Sequence, residues 1–296
     1  LRPGFLIGGY KMLYFILSFA ISVVVIPLFG KLAIKYHITD QKEKSIPYLG
    51  GMGIFFSIIL VAPFDLFVKS FLTILALIGI YEDLKRKILK FNFLIILFSL
   101  LIVNFKYVGL IFIPLGILVG YFLIETFKKI DNFDGVAASL GIMTGLGFYF
   151  FATSNYDKIL LMSLIGSLFA FIFYNFPPSR IQLGKIGNYL IGGVIVIAIL
   201  SSSRGGLIHL LTSLIVLTPV FLESFPHLLK KFKYSLSAKL FKITNNKRKM
   251  LYLIWVISGL YLLISLSILY GIINWQISVL FYLVLTALLI FYPKLD

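Results

Sequence analysis

The 296-residue chain is 60% hydrophobic and 13% charged, with a mean hydropathy of +1.04 and no Cys. Soluble domains are about 45–50% apolar and about 25% charged, and a water-soluble globule of this size could not hide so much apolar side chain. The composition therefore excludes a disordered chain, a disulfide scaffold and a zinc ribbon, and makes this an integral membrane protein of helices.

From the N-terminus, apolar stretches approaching the roughly 20 residues that a crossing helix needs fall near 12–34, 48–64, 66–82, 91–105, 108–127, 136–153, 158–176, 189–203, 207–223, 250–271 and 275–293. They are continuous rather than alternating, which argues helices and against an outer-membrane barrel. The fold expected is all-α, a single integral membrane domain over 1–296 with about 10–11 transmembrane helices. The chain opens on Leu1, and no stretch reads as a cleavable signal peptide. If the spans alternate from an outside N-terminus, 21 of the 27 Lys and Arg fall on one side. By the positive-inside rule that side is cytoplasmic, in a plasma (inner) membrane, multi-pass arrangement. Residues 224–249 form a basic cytoplasmic loop, read as an anchor against anionic lipid. The lipid bilayer is thus one partner. Nucleic acid is not, because the basic residues follow topology and no recognition fold fits between the spans.

The 11 acids are the informative residues. Asp40, Glu43, Glu82, Asp83, Glu125, Asp131, Asp134 and Glu223 lie in cytoplasmic loops or at cytoplasmic span ends. Carboxylates so close to hydrocarbon are costly unless paired or functional. Two readings stay open. The acids neutralise neighbouring Lys and Arg, or Glu82, Asp83, Asp131 and Asp134 converge with the surrounding cations on a site for phosphate and a divalent cation. His37, His209 and His227 are scattered and show no ligand spacing.

The order of four motifs favours the second reading. IPYLGGMGIF (46–55) opens the second span and GIYEDLKRK (79–87) closes the third. FKKIDNFDGVAASLG (127–141) leads into the sixth, and YNFPPSRIQLGKIG (174–187) links the seventh and eighth. This succession resembles the polyprenyl-phosphate N-acetylhexosamine-1-phosphate transferase family, which includes the phospho-N-acetylmuramoyl-pentapeptide and undecaprenyl-phosphate GlcNAc-1-phosphate transferases. The resemblance implies that a polyprenyl phosphate attacks the β-phosphorus of a UDP-N-acetylhexosamine at the cytoplasmic face, with Mg²⁺ offsetting charge, for cell-wall glycan synthesis. It implies catalytic roles for Glu82, Asp83, Asp131 and Asp134, with Asp83 and Asp134 as metal ligands. Lys44, Lys128, Asn175, Lys185 and Asn188 become substrate-binding candidates. A homodimer is the partner of its own kind.

The departures from the family pattern are equally specific. Gly184-Lys185-Ile186-Gly187-Asn188 replaces Gly-Asp-x-Gly-Ser, Lys128 stands for an Asn, Asn132 for a Gly, and a His cluster is reduced to His227. A protonated Lys cannot ligate Mg²⁺, so Lys185 removes a ligand and adds a positive charge. Its ammonium is expected beside Asp83 or Asp134. Either ammonium groups neutralise the diphosphate, or the chain is a catalytically inactive relative that binds lipid phosphate or nucleotide sugar. A transporter fits less well, since the acids gather at one face rather than at the midplane.

Overall fold

The computed structural model describes residues 3–39, 46–85, 90–130, 133–202, 206–229 and 234–291, with side chains for all of these except 3–9 and 227–229. The described residues form twelve α-helices and no strand. In chain order they are α1 (Pro3–Lys35), α2 (Gly50–Val61), α3 (Leu66–Lys85), α4 (Asn92–Tyr107), α5 (Ile113–Lys128) and α6 (Val136–Phe151). They continue as α7 (Asn155–Asn175), α8 (Gly184–Ser202), α9 (Leu207–Leu229), α10 (Leu236–Thr244), α11 (Lys247–Leu269) and α12 (Trp275–Phe291).

Each of the eleven expected apolar stretches holds a helix, but the spans are uneven. Among the described residues six helices are long and apolar enough to cross a bilayer unaided, while α2, α4, α6 and α12 are shorter. At 1.5 Å per residue, the 12 residues of α2 reach only about 18 Å. The second correction concerns 224–249. The α9 helix runs through Pro219 and Pro226 to Leu229, and the nine-residue α10 lies within the stretch expected to be loop.

Local sequence sets the helix ends. Pro114 occupies the first turn of α5, where its missing N–H costs nothing. Ser154, Ser235 and Asn246 cap α7, α10 and α11 by accepting hydrogen bonds from backbone N–H groups one turn on. Asn245, at φ 48°, turns the chain out of α10.

The α8 helix is apolar on every face and is the axis of the bundle, with 17 of its 19 residues buried. It packs against α2, α3, α5, α6 and α7, while α1 lies along α2 and α7, and α11 against α6 and α9. At the end of the bundle away from α8's first turn, Asp65 pairs with Lys106. There Asp157 accepts from the Tyr107 and Ser201 hydroxyls at 3.1 and 2.5 Å. Asp65 is thus neutralised by a lysine and Asp157 held by two hydroxyls, and neither is among the acids expected at the cytoplasmic face.

Candidate functional site

Three of the four motifs meet at the first turn of α8. The backbone N–H groups of Gly50 and Gly51 donate to the carbonyls of Gln182 and Leu183 at 3.1 and 2.8 Å, and Gln182 N–H donates to Pro47 at 2.8 Å. A Cβ on Gly51 would stand 2.3 Å from the Gly187 nitrogen, so only glycine lets α2 approach α8 this closely. Gly184 has φ +73°, and a Cβ there would meet the Tyr48 carbonyl and the Asp83 carboxylate. These glycines explain the Gly-Gly and Gly-x-x-Gly spacings as backbone docking.

Asp83 closes this junction. Its Oδ1 accepts from the Lys185 backbone N–H at 2.8 Å and its Oδ2 from that of Ile186 at 3.2 Å. A carboxylate there also faces the positive end of the α8 dipole. The neighbouring Glu82 turns to the other side of α3. Its Oε1 accepts from Asn92 Nδ2 at 2.9 Å, Tyr189 Oη at 3.2 Å and Lys128 Nζ at 3.3 Å. Both acids are buried.

The Lys128 ammonium, on a side chain 10% exposed, also lies 3.6 Å from Glu125 and over the Tyr189 ring at 5.2 Å. Lys185 Nζ donates to the Lys128 carbonyl oxygen at 3.4 Å. Glu82, Asp83, Lys128 and Lys185 therefore form one connected group. Asp83 meets Lys185 at its backbone N–H.

Asp134 is held differently. It lies in the turn before α6, where its Oδ1 accepts from the Ser179 hydroxyl at 2.8 Å and its Oδ2 is 3.6 Å from Lys247 Nζ. Asn175 binds the two loops together: its Oδ1 accepts from Gly135 N–H at 2.6 Å and its Nδ2 donates to the Ile181 carbonyl at 2.8 Å. Both ends of that amide are engaged within the chain, so Asn175 positions the two loops. Asn188 is fully buried, with neither amide atom hydrogen-bonded. Lys44 and Asp131 fall outside the described residues, as does Asn132.

Sequence reasoning passed over Tyr189, Asn92, Ser179 and Lys247. Asn92 carried a signal, a buried amide opening an apolar helix. Ser179 and Lys247 carried none, because Lys247 meets Asp134 only through packing of α11 against α6.

Each oxygen of Asp83 accepts from one backbone amide, Asp134 lies between a hydroxyl and an ammonium, and Asp131 is outside the described residues. Among the described residues no set of three or more His, Asp or Glu could hold a metal ion. Divalent cations want several oxygen ligands at once.

Residues 64–203 match the family described as glycosyl transferase family 4. Over that segment, just under half of its length, the chain is similar to glycosyl transferase family 4. A Bacillus subtilis protein named "Probable undecaprenyl-phosphate N-acetylglucosaminyl 1-phosphate transferase" is 27% identical over 212 residues, 60% of this chain and 59% of its own. A Clostridium botulinum (strain Eklund 17B) phospho-N-acetylmuramoyl-pentapeptide-transferase is 25% identical over 224 residues, covering 61% of this chain and 69% of that protein. A shorter match to the Chlamydia caviae transferase of the same name reaches 40% identity over 72 residues, 22% of this chain and 21% of that one. The chain spans about three fifths of the length of the Bacillus relative it matches. The family segment contains Glu82, Asp83, Lys128, Asp134, Asn175, Lys185 and Asn188, and leaves Lys44 and Lys247 outside.

Proposed function

We propose that this protein is a membrane glycosyl transferase that moves an N-acetylhexosamine-1-phosphate from a UDP-sugar to a polyprenyl phosphate at the cytoplasmic face, in cell-wall glycan synthesis. A lipid phosphate oxygen attacks the β-phosphorus. The bond from that phosphorus to the bridging oxygen breaks, and UMP leaves with the electron pair. The reading is carried by one observation: two lysines, Lys128 and Lys185, are joined at the α8 first turn and oriented by Glu82 and the Lys128 carbonyl. Cations fixed in advance near a transferring phosphoryl group stabilise the charge that spreads over its oxygens. In this proposal the ammonium groups of Lys128 and Lys185 hold the diphosphate, and Asp83 sets the position of Lys185 through its backbone. No step is routed through Mg²⁺.

A second reading is a catalytically inactive relative that binds lipid phosphate or nucleotide sugar. It is favoured by Asp83, whose two oxygens are both engaged by backbone N–H groups. Purified protein in lipid nanodiscs, given labelled UDP-GlcNAc and undecaprenyl phosphate, separates the two. Release of UMP with a labelled lipid diphosphate, persisting in EDTA, is expected. Retention of UDP-GlcNAc without turnover, with or without added Mg²⁺, would establish the inactive reading. Neither binding nor turnover with any UDP-N-acetylhexosamine would overturn both.

A further inference from the structure

The stretch 224–249 contains eight Lys and Arg and no acid. The structure gives the part of this charge on α10 a fixed platform. Glu223, buried in α9, accepts from Ser237 N–H at 2.7 Å and from the Ser237 hydroxyl at 2.5 Å, which pins the start of α10. Leu236, Ser237 and Leu240 face inward, while Lys242 and Ile243 are exposed. Lys239 Nζ donates to the carbonyls of Leu289 and Ile290 at 3.1 and 2.9 Å, tying α10 to the last turn of α12.

Between α9, α10 and α12 lies a cavity of about 290 Å³. Its wall includes Leu214, Phe221, Leu222, Phe225, Tyr234 and Lys239. The hydroxyls in the wall have partners within the chain: the Thr218 hydroxyl donates to the Leu214 carbonyl at 3.0 Å and lies 3.3 Å from Tyr282 Oη, and Thr286 pairs with Tyr261 at 2.8 Å. The cavity therefore asks for hydrocarbon. At its rim, Lys242 Nζ sits 3.8 Å from the centre of the Tyr234 ring, and Lys239 stands three residues away on α10. Leu214 is 54% exposed, and Ser278 is the one buried residue of α12, so this side of the bundle faces lipid.

We propose that this cavity takes one acyl chain of an anionic phospholipid, whose headgroup phosphate rests on Lys239 and Lys242. An apolar chamber at the level of a basic, acid-free interfacial helix matches both halves of such a lipid. It is too small for a partner helix, whose diameter alone is about 10–12 Å. Burial pushes the Lys239 ammonium below its usual range, and a phosphate at the rim offsets that cost. The site is separate from the lysine group at α8 and stands whether or not the proposed transfer occurs.

Binding is tested with the full chain in detergent, titrated with a fluorescent phosphatidylglycerol, with phosphatidylcholine of the same chains, with inorganic phosphate and with undecaprenyl phosphate as competitors. Saturable phosphatidylglycerol binding is expected, competed by neither phosphatidylcholine nor inorganic phosphate. Lys242→Gln, at an exposed position, should weaken it about fivefold, since a lysine near an anionic lipid surface contributes about 1 kcal/mol. Leu222→Trp should fill the cavity and weaken it at least about tenfold, as expected when a well-fitted chain loses its place. Equal competition by phosphatidylcholine, or full affinity in both variants, would overturn the proposal. Displacement by undecaprenyl phosphate at equal concentration would make the carrier lipid the occupant and would likewise overturn it.

Discussion

The buried Glu82–Lys128 pair can be separated into its structural and chemical parts by a double-mutant cycle. At 3.3 Å and an effective dielectric of about 20, the two charges attract by about 5 kcal/mol. Desolvation of both groups offsets more than half of this, and Asn92 and Tyr189 keep donating to Glu82 when Lys128 is lost. Lys128→Met and Glu82→Gln should each destabilise by about 2–3 kcal/mol, just under the range for breaking a buried pair. The double variant should recover about 2 kcal/mol of the summed loss, the coupling expected of side chains in contact. For a chain of this class that is about 4–8 °C in the midpoint of thermal unfolding, read in nanodiscs by intrinsic fluorescence. UMP release measured on the same samples completes the test. The double variant should be about as stable as either single variant while turnover stays lost, because the Lys128 ammonium that meets the phosphate is gone. Single-variant effects that add within about 0.5 kcal/mol would refute the coupling, and full turnover in Lys128→Met would remove Lys128 from the chemistry.

Asp83→Ala should cost about 1–3 kcal/mol, the loss of a charged cap on α8, and Asp83→Asn, which keeps one acceptor, less. An unchanged unfolding midpoint with lost turnover would instead put that carboxylate on substrate. Gly51→Ala drives a Cβ into Gly187 backbone, and at the upper end of overpacking, about 3 kcal/mol or more, it should abolish a monodisperse peak on size exclusion. Gly259→Ala in α11, where a Cβ meets nothing, is the control and should be neutral or stabilising by up to about 1 kcal/mol. A reporter fused after Lys249 should read cytoplasmic and one after Gly206 external; both on one side would break the odd span count behind the positive-inside partition.

The sequence by itself determined the class and the order of the helices, because hydrocarbon leaves a chain few ways to satisfy its backbone and the apolar lengths are printed in the residues. It also located Glu82 and Asp83, since acids this near a bilayer are few and conspicuous, while Lys128 and Lys185 drew notice as departures from the pattern the chain resembles. What each side chain touches was settled only by packing. Glu82 and Asp83 are neighbours in the chain but about 100° apart around α3, so one meets Lys128 from α5 while the other closes α8. Asn175, expected as a ligand contact, also braces two loops, a role that depends on packing between segments distant in sequence. Lys247 looked like one more interfacial charge and reaches Asp134. The α10 helix hid inside a basic stretch because its period is too short to read over nine residues, and it took the buried Glu223 and the end of α12 to hold it in place.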